Sequence, residues 1–144
     1  MRGGTDLTII VADASALLEY LLQTRASPAV GRVLRAPQTD IRVPTLCDVE
    51  VAAGLRRGLL RGILSADRAN QAVDLYLLLP IGRHGHRALL PRILDLHENF
   101  SAYDATYVAL AESLGAQLLT ADERLARAAR THTSLAVLPD GSRG

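Results

Sequence analysis

The stretch Leu7-Thr8-Ile9-Ile10-Val11-Ala12 runs straight into an acid, Asp13, and then into Ala14-Ser15-Ala16-Leu17-Leu18. A short apolar run rich in β-branched residues reads as a strand buried on both faces. The leucines that follow, Leu17, Leu18, Leu21 and Leu22, recur with helical spacing in a helix over about residues 14–25, while Glu19 and Gln23 fall on the other side. A buried strand passing directly into an amphipathic helix belongs to a parallel α/β sheet. In such sheets the strand-to-helix junction lies at the carboxyl edge, where ligand crevices form. The first acid of the core is therefore placed at a candidate site by its position in the chain.

The remaining pattern extends this reading. Ser27-Pro28 marks a break, and residues 29–36 form a short helix before Pro37. Ile41-Arg42-Val43 is a second strand ended by Pro44. Thr45 and Asp48 have the spacing of a capping box, opening a helix from Leu46 to Arg57 that Gly58 can stop. A helix beginning at Ser65 turns Ala69, Ala72, Val73 and Leu77 inward. Gly82-Arg83-His84-Gly85-His86-Arg87 reads as a polar loop, and a helix over 88–97 carries Pro91 in its first turn. Ser101 caps a helix over 102–114, and Gly115 ends it. Residues 117–120 form a third strand, 122–129 a short helix and 135–138 a last strand. The expected fold is α/β: one domain of 144 residues with its core over about 7–138 and a short tail over 139–144, built on a central parallel sheet with helices on both faces.

Composition narrows the class. Formal net charge is only +1, so gross electrostatic attraction to nucleic acid is not expected. All 16 basic residues are arginine; arginine suits bidentate phosphate contacts, and genomic codon bias accounts equally for its exclusive use. The single cysteine, Cys47, excludes an intrachain disulfide and a cysteine metal cluster. No apolar run approaches the length of a membrane span, and the opening segment does not read as a signal peptide, so a cytoplasmic protein with no membrane association is expected.

Four acids lie where chain and chemistry could bring them together. Asp13 and Asp122 each follow a strand, Asp104 sits in the first turn of a helix, and Glu50 lies near the start of another. Each of the three aspartates also has a purely structural account: Asp13 and Asp122 as helix caps, Asp104 as the acid of a capping box with Ser101. Glu50 is harder to place so, because its neighbours at three and four positions are Leu46, Cys47, Ala53 and Gly54, all apolar or small. Carboxylates gathered at one sheet edge repel and raise one another's pKa. A hard divalent cation, Mg²⁺ or Mn²⁺, removes the repulsion and is suited to phosphodiester hydrolysis. Ser15 and Thr120 lie two residues from Asp13 and Asp122, where their hydroxyls can support ligands or cap helices. Tyr103 and Tyr107 flank Asp104, and either can line a cleft or simply pack. For RNA contact the candidates are Arg56 and Arg57, at the end of the Glu50 helix, and Arg83 and Arg87 in the polar loop, each of which is otherwise an ordinary solvated side chain.

Four segments resemble the PIN-domain family, and within it the VapC-type toxins of toxin–antitoxin pairs. They are Val11-Ala12-Asp13-Ala14-Ser15-Ala16-Leu17, Thr45-Leu46-Cys47-Asp48-Val49-Glu50-Val51, Ser101-Ala102-Tyr103-Asp104-Ala105-Thr106-Tyr107-Val108-Ala109-Leu110-Ala111 and Leu119-Thr120-Ala121-Asp122-Glu123-Arg124-Leu125. In order, they run from Val11 to Leu125, and the resemblance extends over about residues 8 to 138. The resemblance implies a metal-dependent endoribonuclease held inactive by a cognate VapB-type antitoxin. It implies Asp13, Glu50, Asp104 and Asp122 as the acidic site, with Asp13, Asp104 and Asp122 toward the metal. It implies a homodimer or higher toxin–antitoxin assembly, with apolar surface near Leu17 and Leu46 as a candidate contact. Rival readings are an RNA-processing or structure-specific nuclease of the same fold, and a non-catalytic RNA-binding module in which the acids are incidental.

Overall fold

The structure, a computed structural model, describes residues 6–24 and 27–140. The expected end of the first helix at Arg25, the opening residues 1–5 and the tail over 141–144 lie outside them.

Five parallel strands form one sheet: β1 (Thr8–Ala12), β2 (Thr39–Pro44), β3 (Ile81–His84), β4 (Gln117–Leu119) and β5 (Val137–Leu138), in the order β3-β2-β1-β4-β5. Helices α1 (Ala14–Leu22) and α2 (Ser27–Arg35) connect β1 to β2, and α3 (Leu46–Leu60) and α4 (Ala66–Leu78) connect β2 to β3. A 3₁₀ turn (Arg87–Leu89), α5 (Leu90–Asp95) and α6 (Ala102–Leu114) lead back to β4, and α7 (Glu123–His132) joins β4 to β5. Parallel crossovers are right-handed, which assigns α1–α4 to one face and α5–α7 to the other. The packing agrees: α1 lies against α2, α3 and α4, whereas α6 lies against α5, β1, β2 and β4.

The order fixes the site. From β1 the chain moves outward to β2 and β3, then returns to the other side of β1 as β4. The sheet's switch point therefore falls between β1 and β4, paired with Ile10 opposite Gln117, Val11 opposite Leu118 and Ala12 opposite Leu119. A crevice opens outside the carboxyl ends of such a strand pair. The core beneath it is aliphatic: Val11, Ala12, Leu17, Leu118 and Leu119 are fully buried.

Several expectations need correction. Gly82-Arg83-His84, read as the start of a polar loop, instead belong to β3 (Ile81–His84), paired with β2 from Ile41 opposite Ile81 to Pro44 opposite His84. As an edge strand, it needs neither an apolar run nor two buried faces. Gly58 does not stop α3, which runs to Leu60. Thr45 makes no side-chain cap bond; its N–H instead bonds the His84 carbonyl, continuing the β2–β3 ladder. On α4 the buried positions are Ala69, Ala72 and Tyr76, while Val73 and Leu77 face outward. The helix expected over 88–97 is a 3₁₀ turn and the short α5. Ser101 and Gly115 bound α6 as read: the Ser101 hydroxyl accepts from the Asp104 N–H at 3.1 Å, and Gly115 adopts φ +61°, where a Cβ would strain the backbone. No helix of the described residues is long and apolar enough to cross a membrane.

Candidate active site

Asp13 follows β1 and caps α1, its Oδ1 accepting the Ala16 N–H at 2.9 Å. It is almost wholly buried, at 5% exposure. The Ser15 hydroxyl donates to Oδ1 at 2.7 Å, and the Thr120 hydroxyl, from the end of β4, donates to Oδ2 at 2.6 Å. Ser15 and Thr120 in turn accept the N–H groups of Ala121 and Asp122, each at 3.0 Å. The β1 and β4 ends are thus sewn together around one carboxylate. Burial pushes the Asp13 carboxyl up to about 6, against the hydrogen bonds that favour its ionised form, and the nearby charge of Asp122 pushes the same way.

The other acids arrive from three more elements. Asp122 caps α7 through the N–H groups of Arg124 and Leu125. Asp104 projects from the first turn of α6. Glu50 projects from α3, and its Oε1 accepts the Tyr107 hydroxyl of α6 at 2.6 Å. Asp13, Glu50, Asp104 and Asp122 line one cleft of about 270 Å³, with Ser15, Leu18, Arg57 and Tyr107 in its walls. Gly54 lets α3 approach α1 there, since a Cβ at that position would fall 2.3 Å from the Leu18 side chain. Capping and cleft formation prove compatible: Asp13 and Asp122 do both.

Three of the candidate cations are not brought to this cleft. Arg56 is exposed beside Arg57 but is not part of the wall. Arg83 sits on β3, two strands from β1, bonded to Asp48 through Nε at 2.9 Å and lying 5.3 Å over the Tyr76 ring. Arg87 is exposed in the 3₁₀ turn. Of the two tyrosines, Tyr107 is buried in the wall and Tyr103 is 60% exposed.

One site residue escaped the sequence reading. Arg124 of α7 places Nη2 2.9 Å from Asp104 Oδ2 and 3.3 Å from Asp122 Oδ2. The carboxylate of Asp104 and then that of Asp122 hold its guanidinium pKa above the usual range. A signal was present: a positive charge in a helix's first turn is disfavoured by the macrodipole, so such an arginine invites a search for acidic partners.

The donor set is all oxygen and carries four carboxylates, which suits a hard divalent cation rather than zinc or copper. As the side chains stand, no three of the described His, Cys, Asp or Glu residues are close enough to share an ion, and Arg124 spans Asp104 and Asp122 instead. The donor chemistry fits such an ion, which would need these carboxylates drawn closer and Arg124 withdrawn from Asp104 and Asp122.

The family model described as PIN domain matches residues 10–131. Ribonuclease VapC9 of Mycobacterium tuberculosis is 40% identical over 131 residues, covering 91% of this chain and 99% of that one. The chain belongs to the PIN-domain family, among the VapC ribonucleases. Solved structures agree in fold. PAE2754 of Pyrobaculum aerophilum superposes with a TM-score of 0.67 at 21% identity, over 95% of this PIN domain and 87% of that chain. VapC20 of Mycobacterium tuberculosis, described as a sarcin–ricin loop cleaving toxin, gives 0.65 at 16% identity, over 83% and 94%. The cleft of this PIN domain lies where its strand order reverses, and all four acids of the matched segments line it.

Proposed function

We propose that this PIN domain is a metal-dependent endoribonuclease toxin that hydrolyses RNA phosphodiester bonds and is neutralised by a cognate VapB-type antitoxin. The observation that carries the reading is the convergence of Asp13, Glu50, Asp104 and Asp122, from four separate segments, on one cleft at the sheet's switch point. The extent of the VapC9 likeness favours the toxin over a processing nuclease of the same fold.

Asp13, Asp104 and Asp122 would hold Mg²⁺ or Mn²⁺, with Glu50 at the edge of the site. When bound there, such an ion would supply charge compensation for phosphoryl oxygens and lower the pKa of water toward neutrality. The remaining work falls to the chain. Ser15, Thr120 and the Ala16 N–H fix both oxygens of Asp13, so that carboxylate presents one orientation. Tyr107 holds Oε1 of Glu50, and the other oxygen is the acceptor for the proton of the attacking water. Arg57, in the cleft wall, contacts a phosphate oxygen of the strand. Attack would form a bond from water oxygen to phosphorus and break the bond to the 3′ oxygen, which takes a proton from solvent, leaving a 5′-phosphate and a 3′-hydroxyl.

The same reading assigns an antitoxin partner and a homodimer. Of the two helices expected to offer apolar surface for them, α1 has Leu17 and Leu21 in the core, whereas α3, which begins at Leu46, carries exposed leucines at its far end. Exposed apolar side chains stand at Leu59 and Leu60 ending α3, at Ile63, and at Leu77 and Leu78 ending α4, and are candidates for such contact. Assay of the purified chain on RNA tests the activity: cleavage is expected with Mg²⁺ or Mn²⁺, and loss of cleavage with chelator or with Asp13→Asn. Undiminished cleavage by Asp13→Asn would remove Asp13 from the site. Mapping new 5′ ends in cellular RNA after brief induction identifies the target. Co-expression with the adjacent gene product tests the antitoxin, which should co-purify.

A further inference from the structure

Among the described residues, Arg124 is the cation paired with acids of this cleft, and its placement bears on how the site is filled. A single nitrogen, Nη2, reaches both Asp104 on α6 and Asp122 at the start of α7. The two carboxylates are partly covered, at 18% and 34% exposure, but the arginine side chain is 67% exposed. It is therefore held by the acids and not by packing. An arginine at the amino end of a helix works against the macrodipole, so the carboxylates supply the reason for its orientation. A divalent ion held by the same carboxylates would compete with this guanidinium for them.

We propose that Arg124 is a displaceable counter-ion of the acidic site: a divalent cation and its guanidinium compete for Asp104 and Asp122, and the displaced guanidinium grips a phosphate oxygen of the RNA. This rests on the metal-dependent reading given above. Without the ion, Arg124 neutralises the carboxylate pair and limits its repulsion. With the ion in place, the same side chain is released at the mouth of the cleft with its planar fork free, the geometry that pairs with phosphate. Metal and RNA then bind with positive coupling, because each favours the arrangement in which Arg124 has left the carboxylates, and the coupling is reciprocal. Arg57, already in the cleft wall, marks a second phosphate contact from α3.

The test begins with Mn²⁺ binding to the whole chain without RNA, followed by electron paramagnetic resonance of the free ion. Arg124→Gln should bind Mn²⁺ about two- to fivefold more tightly than the parent, the equilibrium worth of an exposed ion pair. Arg124→Lys, which keeps the charge but loses the fork, should fall between. Unchanged or weaker binding by Arg124→Gln would overturn the competition. Steady-state cleavage at saturating Mn²⁺ reads the second half: Arg124→Gln should raise KM for RNA about tenfold with kcat within about twofold, as expected for a lost phosphate contact. An unchanged KM would overturn the grip. Asp13→Asn and Asp104→Asn serve as controls on the site itself. If neither weakens Mn²⁺ binding, the ion is not held in this cleft; the metal reading is then overturned and the Arg124 assignment with it, a result distinct from a failure of Arg124→Gln alone.

Discussion

The Tyr107 hydroxyl lies 2.6 Å from Oε1 of Glu50 and bonds α6 to α3 across the cleft. Tyr107 is buried, at 2% exposure, and burial, with the adjacent Cys47 and Glu50, holds its phenol well above the usual range. The phenol therefore stays protonated and donates to Glu50, which keeps its second oxygen free of this bond. Tyr107→Phe should lower kcat about tenfold or more while costing only about 1 kcal/mol of stability, the usual worth of one hydrogen bond. Combined with Glu50→Gln it should add little further loss, since both changes remove the same positioned carboxylate. Full additivity in kcat would separate the two residues.

Asp13 is held at a cost to the fold. Raising its carboxyl from 3.8 to about 6 makes the ionised form about 3 kcal/mol less favourable in the folded chain than in the unfolded one. A carboxyl with a higher pKa folded than unfolded favours the fold while protonated: that contribution is complete below about pH 4 and is lost as pH rises through 6. Asp13→Asn removes the charge, so at pH 7.5 it should melt several degrees above the parent while being inactive. The difference should shrink as pH falls toward 4. Mg²⁺ should raise the melting temperature of the parent but not of Asp13→Asn. A variant less stable than the parent at pH 7.5 would contradict burial as the dominant influence on Asp13.

What the sequence discloses here is whatever is local. The bounds of α6 were readable because Ser101 and Gly115 act within one turn of the helix ends. The place of Asp13 in the cleft was readable because an acid ending a buried parallel strand has only one edge of the sheet to occupy. Tyr107 stands three residues from Asp104, so its shared helix face was also visible. Arg124 was not, because its partners Asp104 and Asp122 meet only when α6 and α7 fold onto the sheet. β3 was not, because an edge strand held by β2 can be as polar as Gly82-Arg83-His84. On α4 the inward face was set by Tyr76, whose hydroxyl donates to Asp48 at 2.7 Å. That link to α3 outweighs the apolar character of Val73 and Leu77.

Cys47 is fully buried beside Tyr107 and Tyr76, and burial pushes its thiol up to about 11. A buried neutral thiol is inert toward electrophiles, since the thiolate is the reactive form. In the folded chain at pH 7.5, iodoacetamide should leave Cys47 unmodified over hours, and denaturant should expose it to stoichiometric alkylation. The rate should track opening of the α3–α6 contact, so Tyr107→Phe should speed it. Rapid labelling of the native parent would show that this side of the cleft opens freely.

Arg57 and Arg83 provide a paired test of where RNA lies. Arg57 is in the cleft wall with the four acids, while Arg83 is engaged by Asp48, whose carboxyl it holds below the usual range, and by the Tyr76 ring. A phosphate reaching Arg83 would have to displace both partners. Arg57→Gln should therefore raise KM for RNA about tenfold with melting temperature unchanged. Arg83→Gln should leave KM alone and lower stability by about 1 kcal/mol or less, because the pair is substantially exposed. The salt dependence of RNA binding should weaken for Arg57→Gln and not for Arg83→Gln, since each lost phosphate contact removes part of the counter-ion release. The reverse pattern would move the RNA track away from the cleft, toward the β3 edge of the sheet.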